Sequence, residues 1–342
     1  MEHQFIESNG IGIHAVTAGP PDGEPVLLIH GFPETWYEWR KTIPALEDRY
    51  RLIAPDTRGF GDSDKPDGRY DRAMLAADMV GVLDAFDIER AAVVGHDWGG
   101  IIGFKMAIDY PERTTKLALL DTLCTVWPPG ARHGYWFKAE PRPEQFFARH
   151  HEQFIDQVFT GKSEPTLRGW PDSPWPGPSS VARPASHWAT EEDVATYKAA
   201  FADPGSHRAA ITYYRDALAF HLVEPDHTFE AGERYRALSS EDVAEMWEAG
   251  LDDHPLYARY MDYGPDDRLK RYPYPALWMF ADPKGSLEPG TIPVGNPFVD
   301  QFSTYFPDLR AEPVPGAGHF FVEEKPDFVN ARLRAFLGGT DR

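Results

Sequence analysis

The stretch Val93-Val94-Gly95-His96-Asp97-Trp98-Gly99-Gly100 decides how this chain is read. Two β-branched residues lead into Gly-x-Asp-x-Gly, and Ile101-Ile102-Gly103-Phe104-Lys105-Met106-Ala107 follows with helical character. Strand, sharp turn and helix are expected in that order. Such a turn forces its central residue into a strained backbone, and small neighbours let strand and helix come close. The pattern is a Gly-x-Ser-x-Gly nucleophile elbow with aspartate in the serine's place. The strain lifts one side chain out of the turn toward substrate, and here that side chain is the carboxylate of Asp97.

The flanking sequence supplies the rest of a sheet. Ile11 to Val16 alternates as an early strand, and Val26 to His30 is a continuous apolar run, as expected of a parallel strand buried on both faces. That run ends in His30-Gly31-Phe32-Pro33-Glu34, and Trp36 to Leu46 then has helical spacing. Arg51 to Asp56 is the next strand. Residues 73 to 86 form an amphipathic helix with Met74, Ala77, Val80, Leu83 and Phe86 on one face. Leu117 to Asp121, Pro275 to Phe280 and Arg310 to Val314 are further strands, and Phe328 to Leu337 is a closing helix. Strands alternating with helices over short connections imply an α/β fold, a mostly parallel sheet flanked by helices. Ligands bind beyond the carboxyl ends of such strands. The His30 loop, Asp97 and Asp121 all fall at such ends and are expected to converge.

Between about 125 and 267 the pattern breaks. No buried strand is evident, Pro171 to Pro184 reads as a loop, and Glu144 to Phe159 and Glu191 to Phe220 read as helical. The expected organisation is a core of residues 1–124 and 268–342 with an inserted helical cap, 125–267.

Composition narrows the partners. A formal net charge of −20 argues against nucleic acid and anionic membrane surfaces. No apolar run reaches the roughly 18 residues of a membrane span. The start, Met1 to Phe5, does not read as a signal peptide, and the one cysteine, Cys124, suits a reducing compartment. A cytoplasmic location and a small-molecule substrate are the expectations, with homodimer formation left open. Aromatic residues reach 13%, many of them between 126 and 280, which suggests an apolar pocket as well as a core.

Covalent hydrolysis needs a nucleophile, a base and a group that orients the base. Asp97 is the nucleophile candidate. His319, in the small-residue turn Gly316-Ala317-Gly318-His319 after the last strand, is the base candidate. Two acids could orient it, Asp121 or Asp282, with Asp121 preferred. Backbone N–H groups of Phe32 and Trp98 are placed to stabilise developing negative charge, and His30 and His96 read as loop braces. A carboxylate attacks sp³ carbon, displaces oxygen or halide and leaves an ester, which a water activated by His319 then hydrolyses. The leaving group needs donors from the cap, where Tyr135, Trp136, Trp188, Tyr213 and Tyr214 are on offer.

His30-Gly31-Phe32-Pro33-Glu34-Thr35-Trp36-Tyr37-Glu38-Trp39-Arg40 with Gly95-His96-Asp97-Trp98-Gly99-Gly100 resembles the epoxide hydrolases of the α/β-hydrolase superfamily, whose near neighbours are haloalkane and haloacetate dehalogenases. The resemblance covers about residues 20–124 and 270–340 and reaches into the cap at Ile211-Thr212-Tyr213-Tyr214-Arg215. It implies that Tyr214 donates to the epoxide oxygen and that no cofactor or metal is needed. A second cap tyrosine is usual in this family. Its best-aligned position here is Phe137, with Tyr135 two residues earlier as the alternative donor. The usual acid after the late strand falls at Lys284, a cation, whereas Asp121 stands where some epoxide hydrolases and many dehalogenases keep theirs. Trp98 and Lys105 stand where haloacetate dehalogenases carry arginines, so a haloacid is disfavoured. Trp98 and Trp136 could cradle a halide, with Phe32 in place of the asparagine used by many haloalkane dehalogenases. The expected activity is an epoxide hydrolase. The alternatives are a dehalogenase with the same ester intermediate and a non-catalytic ligand-binding relative.

Overall fold

The computed structural model describes residues 1–127, 131–160, 188–223, 236–257, 259–288, 290 and 302–339. The loop expected at Pro171 to Pro184 lies outside them. Eight strands form one sheet: β1 (Glu2–Ser8), β2 (Ile11–Ala18), β3 (Glu24–Ile29), β4 (Tyr50–Pro55), β5 (Ala91–His96), β6 (Thr114–Leu120), β11 (Ala276–Asp282) and β12 (Leu309–Pro315). Their spatial order is β1-β2-β4-β3-β5-β6-β11-β12. All neighbours from β4 through β12 are parallel; the antiparallel pairs are β1–β2 and β2–β4, so β2 alone runs against the other strands. This is an α/β-hydrolase arrangement, a mostly parallel sheet flanked by helices.

The apolar runs are buried on both faces, as two-sided strands require. Val26, Leu28, Val94, Ala118, Leu120 and Met279 meet the layer of Trp39, Leu46 and Phe336. The alternating Leu27, Ile29, Val93, Leu117 and Leu119 meet α2 (Arg72–Ala85) and α3 (Trp98–Asp109) on the other side. From β3 the chain goes outward to β4 and then returns across β3 to β5. The crevice at that reversal is where such sheets bind ligands.

Several expectations are corrected. Trp36 to Leu46 is a 3₁₀ turn, Trp36–Lys41, followed by the short helix α1, Ile43–Leu46. The buried face of α2 is Leu75, Ala76, Met79, Val82 and Leu83, with Met74, Ala77, Val80 and Phe86 only half-buried. Asp78 also lies on the buried face, where Arg58 donates two hydrogen bonds to it at 2.6 and 2.7 Å. That buried ion pair hides the true stripe from a reading by hydrophobicity alone.

The segment between β6 and β11 is not wholly helical. It carries α4 (Arg132–Lys138), α5 (Arg142–Thr160), α6 (Glu191–Ala200), α7 (Pro204–Thr212), a π-helical turn at Tyr213–Ala217 and α8 (Ser240–Glu248). It also carries β7 (Val126–Trp127), β8 (His221–Val223), β9 (Arg236–Ala237) and β10 (Tyr260–Asp262), a small antiparallel sheet in the order β7-β10-β8-β9. Tyrosines tie this segment to the large sheet. The Tyr213 hydroxyl donates to the Arg58 carbonyl at 3.0 Å, and the Tyr70 N–H donates to Asp216 at 3.0 Å. No helix among the described residues is long and apolar enough to cross a membrane.

Candidate active site

Asp97 is the single residue between β5 and α3, with φ 49° and ψ −116°. A side chain in that region costs about 1–3 kcal/mol and persists only where surroundings enforce it. Three glycines enforce it here. A Cβ at Gly95 would lie 2.2 Å from the Gly99 carbonyl oxygen, at Gly99 2.0 Å from that of Ile29, and at Gly100 2.4 Å from the Thr122 side chain. Because Ile29 is backbone in the central strand, nothing cheap can move. Gly99→Ala is therefore expected to destabilise the fold by on the order of 3 kcal/mol, seen as a lowered midpoint in thermal unfolding; an unchanged midpoint would contradict the close approach.

Strand register brings the partners together. Ile29 pairs with Gly95 and His96 with Leu120, so the residues following β3, β5 and β6 emerge side by side. The Phe32 N–H donates to Asp97 Oδ1 at 2.9 Å. Trp98 opens α3, so its N–H has no partner within that helix. Asp121, also at positive φ (40°), follows β6 directly, and its Oδ1 accepts from the Ala281 N–H at 2.9 Å. Its Oδ2 lies 2.6 Å from His319 Nδ1, and His319 Nε2 lies 3.4 Å from Asp97 Oδ2. Asp282 does not reach the histidine. It sits at the far end of β11, opposite Pro315, and its carboxylate accepts from the Leu287 N–H at 2.9 Å as a loop brace. His30 also braces, accepting from the Thr57 N–H at 2.9 Å through Nε2.

The charges are paired. Burial opposes ionisation of both groups. Even so, the hydrogen bond and charge of His319 hold Asp97 down to about 2, and Asp121 and Asp97 together raise His319 to about 10. In this state the site holds a carboxylate and an imidazolium in contact.

Comparison with known proteins agrees with this build. A family model described as the alpha/beta hydrolase fold matches residues 24–326. Epoxide hydrolase 3 of Siraitia grosvenorii is 34% identical over 247 residues, 66% of this chain and 76% of that one. The chain is an α/β-hydrolase of the epoxide hydrolase family. The AB hydrolase superfamily protein YfhM of Bacillus subtilis (strain 168) is 34% identical over 235 residues, 65% and 75% of the two chains. In three dimensions, an epoxide hydrolase from an endophytic Streptomyces matches with a TM-score of 0.68 at 26% identity, over 99% of this chain and 96% of that one.

In this α/β-hydrolase the wall that the segment between β6 and β11 presents to Asp97 differs from the sequence expectation. A cavity of about 50 Å³ is lined by Asp97, His319, Phe32, His133, Phe137 and Tyr214, with Phe154 and Phe320 among the residues closing it. Tyr214 is buried and stacks on Phe137 with ring centroids 4.0 Å apart. Burial and the charge of Asp97 push its hydroxyl well above the usual tyrosine range, so it stays protonated. Tyr135 does not line the cavity. Its ring packs on Phe220 and Tyr257, 5.9 and 5.4 Å away. Trp136 is packed among Phe137, Phe146 and Phe147. Trp98 stands edge-on to Tyr213 and Tyr214. Neither Trp98 nor Trp136 is among the residues lining the cavity.

His133 was not foreseen. Helical spacing could have found it, because residues four apart share a face. Phe137 lines the cavity, its neighbour one turn back is His133, and Tyr135 lies on the opposite side of α4. Burial holds His133 down to about 4, so it faces the cavity as a neutral imidazole.

Proposed function

We propose that this enzyme opens epoxides to vicinal diols through an alkyl-enzyme ester on Asp97. The observation that carries the reading is the Asp97 carboxylate in a nucleophile elbow and buried Tyr214 lining one narrow cavity, with the carboxylate's pKa depressed and the phenol's raised. Asp97 Oδ2 attacks a ring carbon, the ring C–O bond breaks, and the oxygen takes the Tyr214 proton while neutral His133 donates a second hydrogen bond. The ester then stands with Oδ1 on the Phe32 N–H. His319 takes a proton from water, and hydroxide adds to the Asp97 carbonyl carbon. The Phe32 N–H stabilises the charge on Oδ1. Collapse breaks the bond to the alkyl oxygen, which takes the proton from His319. The acid proton now on Asp97 restores Tyr214.

Esterification also switches the base on. It removes one of the two carboxylates that hold His319 as imidazolium, so the histidine releases its proton to solvent just when water must be activated and takes one back once the Asp97 carboxylate is restored.

Styrene oxide-type epoxides assayed beside 1-haloalkanes test the reading. Diol formation is expected, with Tyr214→Phe slowing it by about 10²-fold or more and Tyr135→Phe leaving it close to wild type. Halide release without diol formation would make the enzyme a dehalogenase, and a chain that forms no covalent adduct with either substrate would be a ligand-binding relative.

A further inference from the structure

Directly behind the nucleophile lies a buried group that the steps above do not use. Glu34, Glu38 and His96 have fully buried side chains. His96 Nδ1 is 2.9 Å from Glu38 Oε1 and 3.2 Å from Glu34 Oε2. His96 Nε2 lies 2.9 Å from the backbone carbonyl oxygen of His319. A carbonyl only accepts, so Nε2 carries a hydrogen. Nδ1 faces two carboxylates, so at least one more proton is held there, on the ring or on an acid. Consistently, the two acids raise His96 well above its ordinary range despite burial, and burial beside Glu38 pushes Glu34 up to about 7.

The group touches both halves of the site. On one side Glu38 Oε2 accepts from the Gly31 N–H at 2.9 Å, fixing the loop whose next residue, Phe32, donates to Asp97. On the other, His96 holds the backbone of His319. The fit leaves no slack: a Cβ at Gly31 would lie 2.9 Å from Asp97 Cβ, 2.9 Å from Glu34 Oε2 and 3.0 Å from His96 Nδ1. We infer that Glu34, Glu38 and His96 form a clamp of positioning residues. It sets the distance between the Phe32 N–H and the His319 ring and thereby governs hydrolysis of the ester more than its formation. The inference rests on the reading that Asp97 carries the substrate. Hydrolysis requires donor, carbonyl carbon, water and base aligned at once, whereas ester formation requires Asp97 and the cap donors.

Quenched single-turnover mass spectrometry with styrene oxide on the full chain measures ester growth and decay separately. Glu38→Met keeps the bulk but removes both acceptors. It is expected to slow ester decay by about tenfold to 100-fold, the scale of a remote misplacement, while ester growth stays near wild type and the adduct accumulates. Glu38→Gln again offers an acceptor to the Gly31 N–H and is expected to recover most of the decay rate. Equal slowing of both steps, no slowing, or a Gln variant as slow as Met overturns the clamp. If melting shows that Glu38→Met is unfolded, the comparison moves to His96→Gln, which keeps an N–H for the His319 carbonyl, against His96→Leu, which does not. There too, equal ester decay in the pair overturns the clamp, and faster decay in the Gln variant supports it. His319→Gln is the control. An ester there with unaffected Glu38 variants removes the clamp alone, whereas no ester there removes the Asp97 reading and the clamp with it.

Discussion

Asp97→Asn is expected to abolish turnover, by on the order of 10⁵-fold, and to form no adduct, because an amide is a poor nucleophile and members of such a unit are individually indispensable. The same change should lower the His319 pKa from about 10, since the Asp97 charge is one of its supports. An NMR titration of the imidazole reads this directly. In the complementary variant, His319→Gln, the peptide containing Asp97 should gain the mass of one epoxide and keep it. The two half-reactions should then part company with pH. Ester formation needs ionised Asp97, whose pKa is depressed to about 2, so it should persist as acid is added until the fold gives way. Ester hydrolysis needs neutral His319. That histidine is raised, and after esterification Asp121 is the carboxylate that remains in contact with it, so steady-state turnover should increase as pH rises toward neutrality and above. A single acid limb shared by both steps would refute the separation.

Asp121→Asn is the second large effect, expected to reduce ester hydrolysis by about 10⁴-fold. That is the scale seen when the acid of a triad becomes an amide, leaving the histidine in the wrong tautomer. Asp282→Asn should stay close to wild type, because an amide oxygen can still accept from the Leu287 N–H. Steady-state diol formation by the two variants checks this, and a loss confined to Asp282→Asn would reverse the assignment.

The contrast between these two aspartates shows where sequence stops. Both lie at the carboxyl ends of apolar strands, and type and position alone leave them as rivals. Register separates them: Asp121 comes one residue after the Leu120–Met279 pair, whereas Asp282 is three residues past Met279 and opposite β12. The elbow and the parallel strands were legible because runs such as Val26 to Ile29 are buried on both faces and need no periodicity to stand out. β1 was not foreseen, because an edge strand whose residues are mostly exposed carries little apolar signal. The cap strands, two or three residues long, are too short for any period. For the segment between β6 and β11, residue type is the guide the sequence offers to hydrogen-bond donors. Tyr135 has the right chemistry on the wrong face of α4, and His133 the right face with a less obvious group.

The π-helical turn at Tyr213–Ala217 has one more consequence. Consecutive tyrosines there serve different masters: Tyr213 is tied to the Arg58 carbonyl of the sheet side, Asp216 to the Tyr70 N–H, and Tyr214 between them faces the cavity. Tyr214 is thus bolted to the sheet side of the enzyme although it belongs by sequence to the segment between β6 and β11. On the proposed mechanism, widening the cavity for a bulkier epoxide falls to α4 and α5, which bring His133, Phe137 and Phe154, and selection for new substrates can reshape that wall without unseating the tyrosine that would protonate the epoxide oxygen.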